Sequence, residues 1–235
     1  MKIAVVGTGM VGRALAGRLA ELGHSVVVAT RDPAATLART EPDAMGTPPF
    51  SQWQQEHPDV PLVELGDAGA HGEVVVNATA GVASLEALTA VGADALAGKV
   101  VVDVANPLDF GAGFPPSLAV VNTDSLGEQM QRAFPGAKVV KALNTMNAVV
   151  MVDPARLAGD HDVFVAGNDA AAKEAVKDLL REFGWKDGTI VDLGPLQAAR
   201  GTEMFLPLWL SIMQTVGSGD FNIRIVRASQ KDIYC

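Results

Sequence analysis

The 235-residue sequence has one cysteine, Cys235, and it is the last residue. An intramolecular disulfide is therefore impossible, which fits a reducing compartment, and a cysteine-rich zinc site is excluded. The four histidines, His24, His57, His71 and His161, show no metal-ligand spacing, so no bound metal is expected. Charge is scarce too, at 19% of residues against 49% hydrophobic, too apolar for a disordered chain and ample for a substantial core. The net charge of −9 argues against nucleic acid or an anionic membrane as partner, because both require a basic surface. No apolar run approaches the roughly 20 residues of a spanning helix. The greasiest stretch, Met204–Met213, is interrupted by Pro207. Met1 and Lys2 lead directly into Ile3-Ala4-Val5-Val6 without the layout of a secretory signal, so a soluble cytoplasmic protein is expected. Also missing are internal repeats, a G-x-S-x-G elbow and a G-x-x-x-x-G-K-[ST] loop.

What is present is a rhythm. Short β-branched runs alternate with alanine-rich amphipathic stretches, the pattern of a mostly parallel sheet covered by helices. Strands are predicted at Lys2–Val6, Ser25–Thr30, Leu62–Leu65, Glu73–Asn77, Lys99–Val104, Lys138–Leu143, Asp162–Ala166 and Thr189–Asp192. Val74-Val75-Val76 and Val100-Val101-Val102 are apolar throughout, as strands buried on both faces should be. Helices are predicted near Met10–Leu22, Ser84–Val91, Ser125–Phe134 and Ala170–Phe183, the last capped by Asn168 or Asp169 and stopped at Gly184.

Two regions break the pattern. Residues 41–61 hold Pro42, Pro48, Pro49, Pro58 and Pro61, leaving room for one short helix opened by a Ser51/Gln54 capping box and packed by Phe50 and Trp53. Residues Asn106–Ser117 form a glycine- and proline-rich loop directly after a strand. Near the end, Phe205, Leu208, Trp209, Ile212, Met213 and Val216 recur at three- and four-residue spacing, a helix that packs on its own domain or on a second subunit. Phe221–Val226 reads as a final strand. The expected fold is α/β: a Rossmann-type, doubly wound, mostly parallel extended sheet over residues 1–195, and a short helix–strand segment over 196–235.

Gly7-Thr8-Gly9-Met10-Val11-Gly12 matches G-x-G-x-x-G, and its setting makes it informative: a strand precedes it, a helix opens from it, and a second strand ends at Thr30. The first glycine permits the tight turn, the second lets backbone approach a pyrophosphate, and the third lets helix pack closely on sheet. The helix N-terminus offers unpaired N–H groups to the phosphates. NAD-binding units usually place an acid at the end of the second strand, to bind the ribose hydroxyl. Here that strand ends Thr30-Arg31-Asp32-Pro33. Arg31 suits a forked pair with a 2′-phosphate, and Thr30 can donate its hydroxyl, so the cofactor is expected to be NADP(H). Asp32 is assigned to capping the following turn.

The other strand ends should converge on the same crevice. They read Asn77-Ala78-Thr79-Ala80-Gly81, Ala105-Asn106-Pro107-Leu108 and Leu143-Asn144-Thr145-Met146. Lys141 precedes Asn144 by three residues; a solvated strand-end lysine is the plainer reading of it than a catalytic pair. No general acid stands near the nicotinamide position, so no catalytic residue is named. That favours hydride transfer between two pre-positioned rings.

The chain resembles the NADPH-dependent reductases of the deazaflavin coenzyme F-420. The resemblance covers nearly the whole chain. It rests on Gly7–Gly12, on Thr30-Arg31-Asp32-Pro33, on residues 134–146, and on Asp192-Leu193-Gly194-Pro195-Leu196 followed by Ala199-Arg200 and Glu203. The nucleotide-binding domains of membrane-bound metalloreductases share a related pattern. The resemblance implies a homodimer and direct hydride transfer between nicotinamide and deazaflavin stacked face to face. It places Gly7, Thr8, Gly9, Met10, Val11 and Gly12 on the pyrophosphate, Thr30 and Arg31 on the 2′-phosphate, and Ala78, Thr79 and Gly81 beside the nicotinamide. Asn106, Pro107, Asn144, Thr145 and Met146 would line the deazaflavin side, with Leu196 and Arg200 closing the pocket. The phosphate and glutamyl tail of F-420 call for basic groups, and Arg200 and Lys141 are the ones at hand. Reduction of a small carbonyl or imine, and a non-catalytic NADPH sensor, remain open.

Overall fold

The computed structural model describes residues 1–43 and 46–228; Cys235 lies outside them. The first half of the chain runs β1 (Lys2–Val6), α1 (Met10–Glu21), β2 (Ser25–Thr30), α2 (Pro33–Leu37), α3 (Phe50–Glu56), β3 (Leu62–Glu64), α4 (Leu65–His71), β4 (Val74–Asn77), α5 (Ser84–Val91), α6 (Ala93–Leu96) and β5 (Val100–Asp103). A small hairpin follows, β6 (Leu108–Asp109) with β7 (Ser117–Leu118), then α7 (Leu126–Ala133), β8 (Lys138–Ala142) and α8 (Ala148–Val152). The chain continues through β9 (Val163–Gly167), α9 (Ala170–Glu182), β10 (Ile190–Asp192), α10 (Ala199–Met204) and α11 (Leu206–Val216).

Eight strands form one sheet in the order β10-β9-β8-β5-β4-β1-β2-β3, parallel except where β8 meets β9. From β1 the chain winds outward through β2 to β3, then crosses back and winds the other way through β4, β5 and β8. Strand order therefore reverses between β1 and β4, and such sheets open a crevice at that point beyond the carboxyl ends of the strands. The alternation of side chains builds a core on each face. Ile3, Val5, Val28 and Val76 join Leu15 and Leu19 of α1 and Val176 and Leu180 of α9 on one side. Ala4, Val6, Val75 and Val101 pack with Leu88 of α5 and Leu126 and Met130 of α7 on the other. Asp169 caps α9 by accepting the Ala172 N–H at 2.8 Å, whereas Asn168 accepts the Leu196 N–H instead. Gly184, with φ of 102°, lies just past the end of α9.

Several expectations are corrected. The loop after β5 contains the β6–β7 hairpin, too short to carry any periodicity. Helix α3 begins at Phe50 behind Pro49 and has no side-chain cap, so Ser51 lies inside the helix and no capping box forms. Phe221–Val226 is not a strand: the Asp162 N–H reaches the Ile223 carbonyl, but the Asp162 carboxylate takes the Ile225 N–H and interrupts the ladder. Helix α11 buries Leu206 and Leu210 and leaves Leu208 and Val216 exposed. Its inward face is thus rotated from the stripe that the spacing suggests.

The largest correction concerns Lys141. Far from solvated, it is 1% exposed in β8, with its Nζ 2.8 Å from Asp103 Oδ2 and 2.8 Å from Glu203 Oε1, and it donates to the Ala105 carbonyl. Glu203, on α10, also accepts the N–H groups of Leu126 and Gly127 in the first turn of α7. Its charge there complements the positive end of that helix. Burial opposes the Lys141 charge more than any other influence, yet the two carboxylates together hold its ammonium above the ordinary lysine range. Burial pushes the Glu203 carboxyl up, with Lys141 pulling against it.

Removing one member of such a cluster strands the others in a dry interior. Lys141→Met should cost about 3–5 kcal/mol of stability, read from denaturant unfolding. A raised folded pKa means Lys141 stabilises the fold below about pH 10.4, the ordinary lysine value. That contribution is lost as pH rises through the still higher folded value. Equal unfolding midpoints for variant and parent at neutral pH would refute this account.

Candidate functional site

The loops after β1, β2 and β4 enclose a cavity of about 280 Å³ at the switch point, lined by Gly7, Thr8, Gly9, Thr30, Arg31, Ala78 and Thr79, among others. The glycine turn is shaped by close approach. Gly7 has φ of 123°, and a Cβ there would lie 2.5 Å from the Ala78 carbonyl oxygen. A Cβ on Gly12 would run into the Gly7 carbonyl. Helix α1 starts at Met10 with Gly9 as its N-cap and no side chain satisfying its first turn. Its free N–H groups and dipole therefore face the cavity region, an arrangement suited to a phosphate. Arg13 braces the turn, donating from Nε to the Thr8 carbonyl at 2.8 Å and from Nη1 to the Pro48 carbonyl at 2.6 Å. That second bond ties the proline-rich excursion onto the glycine turn.

Thr30 and Arg31 stand at the end of β2. Thr30 Oγ1 lies 3.2 Å from Thr36 Oγ1, and the Arg31 guanidinium is exposed, 3.6 Å from Glu86. Asp32 caps α2 through the Ala35 N–H at 2.8 Å, so its carboxylate is engaged with its own helix.

Ala78, Thr79 and Ala80 also border a second cavity of about 380 Å³, which makes the two halves of one cleft. Its walls are mostly apolar: Val11, Leu108, Phe110, Met146, Met151, Leu206 and Trp209, with Gly81, Asn106 and Asn144. Asn106 and Asn144 join the loops after β5 and β8. Asn106 Nδ2 donates to the Asn144 carbonyl at 2.8 Å, and Asn144 Nδ2 donates to Asn106 Oδ1 at 2.9 Å. Leu143, just before Asn144, has φ of 64°. A left-handed leucine costs about 1–3 kcal/mol and persists where the surroundings enforce it. Here the turn ends β8 and directs the chain to Asn144.

Not every expected residue reaches the cleft. Met10 is exposed at the start of α1, and Pro107 and Thr145 are buried behind the lining. Leu196 is 1% exposed within the core, against Gly127. Arg200 forms a forked pair with Glu128, at 2.8 and 2.7 Å, and lies in neither lining. This pairing pulls the Glu128 carboxyl below its usual range. Both Arg200 and Lys141 are thus paired with carboxylates within the protein. Among the described residues, the second half is lined by one carboxylate, Asp109, and no lysine or arginine. Sequence reasoning missed Phe110, Met151, Leu206 and Trp209 as lining residues, as well as the buried network behind Thr79. The signal for that network was a polar residue closing each all-valine strand, Asn77 and Asp103.

The family described as NADP oxidoreductase, coenzyme F420-dependent, matches residues 2–107. The F420-dependent NADP reductase of Methanocaldococcus jannaschii is 29% identical over 228 residues, 96% of this chain and 98% of its own. A crystal structure from Arthrobacter sp. FB24, described as a candidate F420-dependent NADP reductase, is 60% identical with a TM-score of 0.92, covering 97% of this chain and all of that one. The chain belongs to this family. It is an NADP-dependent oxidoreductase of the F420-dependent group by descent. The metalloreductase STEAP3 of Rattus norvegicus is 31% identical over 212 residues, 88% of this chain, but the chain spans only 38% of that protein. A reductive aminase from Aspergillus terreus shares the fold at 18% identity and a TM-score of 0.61. No helix among the described residues is long and apolar enough to cross a membrane.

The glycine geometry makes a prediction for this oxidoreductase. Gly12→Ala must push α1 off the turn, an overpacking cost of about 1–3 kcal/mol, and should weaken NADPH binding by about tenfold or more. Isothermal calorimetry measures the affinity, and an unchanged circular dichroism spectrum confirms the fold; undiminished affinity would contradict the reading.

Proposed function

We propose that this protein transfers hydride between NADP(H) and a deazaflavin of the F-420 type, or a related flavin ring. One observation carries the proposal: the nucleotide half of the cleft opens, across Ala78–Ala80, into a mostly apolar half of about 380 Å³, chemistry that suits an aromatic ring. Face-to-face hydride transfer needs alignment and exclusion of water far more than an acid or base. Among the described residues, the lining of the second half offers one titratable side chain, the exposed Asp109, whose Oδ1 already accepts the Gly111 N–H.

In this reading the Gly7–Gly12 turn and the uncapped end of α1 hold the pyrophosphate. Thr30 and Arg31 hold the 2′-phosphate, and Ala78, Thr79 and Gly81 border the nicotinamide. Asn106, Asn144 and Met146 face the second ring, with Pro107 and Thr145 supporting them from behind. The deazaflavin enters by its ring, and its anionic tail stays outside the second half. Residues 1–195 act as the nucleotide-binding unit. The C-terminal segment 196–235 is the second unit: its described residues, 196–228, pack back onto the first and, through the exposed Leu208 and Val216 of α11, onto a second copy in a cytoplasmic homodimer.

Mixing the protein with NADPH and F-420 should bleach the visible deazaflavin absorbance. No bleaching with F-420, FMN or FAD would remove the proposal and leave reduction of a small carbonyl or imine, or an NADPH sensor. Arg31→Ala should raise the dissociation constant for NADPH by about tenfold to a hundredfold, the worth of one charge-assisted bond. NADH should be nearly unaffected, and equal losses for both nucleotides would mean that Arg31 does not read the 2′-phosphate.

A further inference from the structure

Behind the junction of the two cavity halves lies a circuit of hydrogen bonds whose directions can be worked out from one buried charge. Asn77, Asp103 and Lys141 are register partners on β4, β5 and β8, and each is at most 1% exposed. Asp103 Oδ2 accepts from Lys141 Nζ at 2.8 Å. Its Oδ1 accepts from the Ala105 N–H at 3.1 Å and from Asn77 Nδ2 at 3.0 Å. The Lys141 ammonium and the Ala105 N–H can only donate, and paired with that ammonium the Asp103 group is a carboxylate. A carboxylate only accepts, so Asn77 must present its NH₂ to Asp103, and the amide orientation follows from chemistry.

The rest follows step by step. The other Asn77 Nδ2 hydrogen goes to Ser84 Oγ at 3.1 Å, a stronger acceptor than the Met130 Sδ at 3.8 Å. Asn77 Oδ1 then faces Thr79 Oγ1 at 2.8 Å and takes its only hydrogen. The 2.8 Å contact between Ser84 Oγ and Thr79 Oγ1 must therefore run from Ser84 to Thr79, in preference to the longer 3.4 Å path to the Ala80 carbonyl. Thr79 is left with no hydrogen to give and one lone pair to offer. It is half-buried and lines both halves of the cleft, at the place where the nucleotide half meets the ring-binding half.

Resting on the NADP(H) reading of this cleft, we infer that Thr79 is a specificity-determining residue, an obligate acceptor for the N–H of the nicotinamide carboxamide. Asp103 and Asn77 are positioning residues that set its polarity. A threonine free to turn its hydroxyl would bind the carboxamide N–H or its carbonyl equally well, and the amide could then turn about its bond to the ring. The wired threonine accepts one orientation of the amide only, with its N–H toward Thr79 and its carbonyl turned away.

The test compares NADP⁺ with its 3-acetylpyridine analogue, in which a methyl replaces the carboxamide NH₂ while the carbonyl remains. Calorimetry on the unmodified protein should show NADP⁺ binding on the order of tenfold more tightly, one hydrogen bond's worth. Thr79→Val should bind both with the same affinity, and Thr79→Ser should keep the preference. Equal affinities for the two nucleotides in the unmodified protein would overturn the inference while leaving the cofactor reading intact. So would a preference that survives in Thr79→Val. Failure of both nucleotides to bind the unmodified protein would sink the cofactor reading and this inference together. Neither comparison disturbs Lys141, so neither depends on a variant that strands a buried charge.

Discussion

A lysine ammonium and two carboxylates, all closed off from water, sit where β5, β8 and α10 converge, and the cleft is built against them. Such a cluster gives little net stability compared with a well-packed apolar one, because each ion gives up its hydration to enter. What it supplies here is registration. Val6, Asn77, Asp103 and Lys141 form a single row across β1, β4, β5 and β8. Side chains alternate along a strand, so a one-residue slip of β5 or β8 would turn Asp103 or Lys141 to the opposite face. There it would meet the valines and leucines packed against α1 and α9. Runs such as Val100-Val101-Val102 contain nothing else to distinguish one register from the next. The cost of slipping is an unpaired buried charge.

The same cluster carries the order of the sheet into the cleft. Asp103 fixes Asn77, and Asn77 fixes Thr79 and Ser84. Lys141 also holds the Ala105 carbonyl, immediately before Asn106, whose amide interlocks with Asn144. The loops after β4, β5 and β8 are thus braced from behind by polar contacts, while the loop after β1 is braced by Arg13. Glu203 draws α10 into this frame, and the adjoining α11 contributes Leu206 and Trp209 to the apolar half. The wall farthest along the chain is therefore anchored to the centre of the sheet.

Much of this could be read in the sequence where a single local pattern decides the outcome. The valine runs became strands within a residue or two of their expected ends. The Gly7–Gly12 motif joins β1 to the first turn of α1, and Asp32 caps α2 as its place before Pro33 suggests. Readings failed where the deciding partner is distant in the chain. Lys141 looked like a surface residue because its two carboxylates lie far away at positions 103 and 203. Arg200 looked like a pocket cation because Glu128 is 72 positions earlier. The strand expected at Phe221–Val226 has suitable residues, but Asp162 meets the Ile225 N–H with a side chain where a ladder needs a backbone carbonyl. Hairpin β6–β7 escaped notice because two-residue strands have no period to detect, and it brings Phe110 to the cleft.

An acidic chain of an NADP-dependent family must still bind a highly anionic nucleotide, and the proposed reading gives that task to a small number of groups around Arg31. The net charge of −9 offers no general attraction. Arg31 itself faces Glu86 at 3.6 Å, with both side chains about three-quarters exposed. A pair that open to solvent contributes about 0–1 kcal/mol, so displacing Glu86 costs little. A forked contact to a phosphate contributes about 1.5–3 kcal/mol by comparison. In the proposed reading the exchange therefore favours the phosphate, and the uncapped N-terminus of α1 would add its dipole at the pyrophosphate without any side-chain charge at all. Recognition of this kind would depend on local geometry more than on the overall field, and so suits a protein with few basic residues lining its cleft.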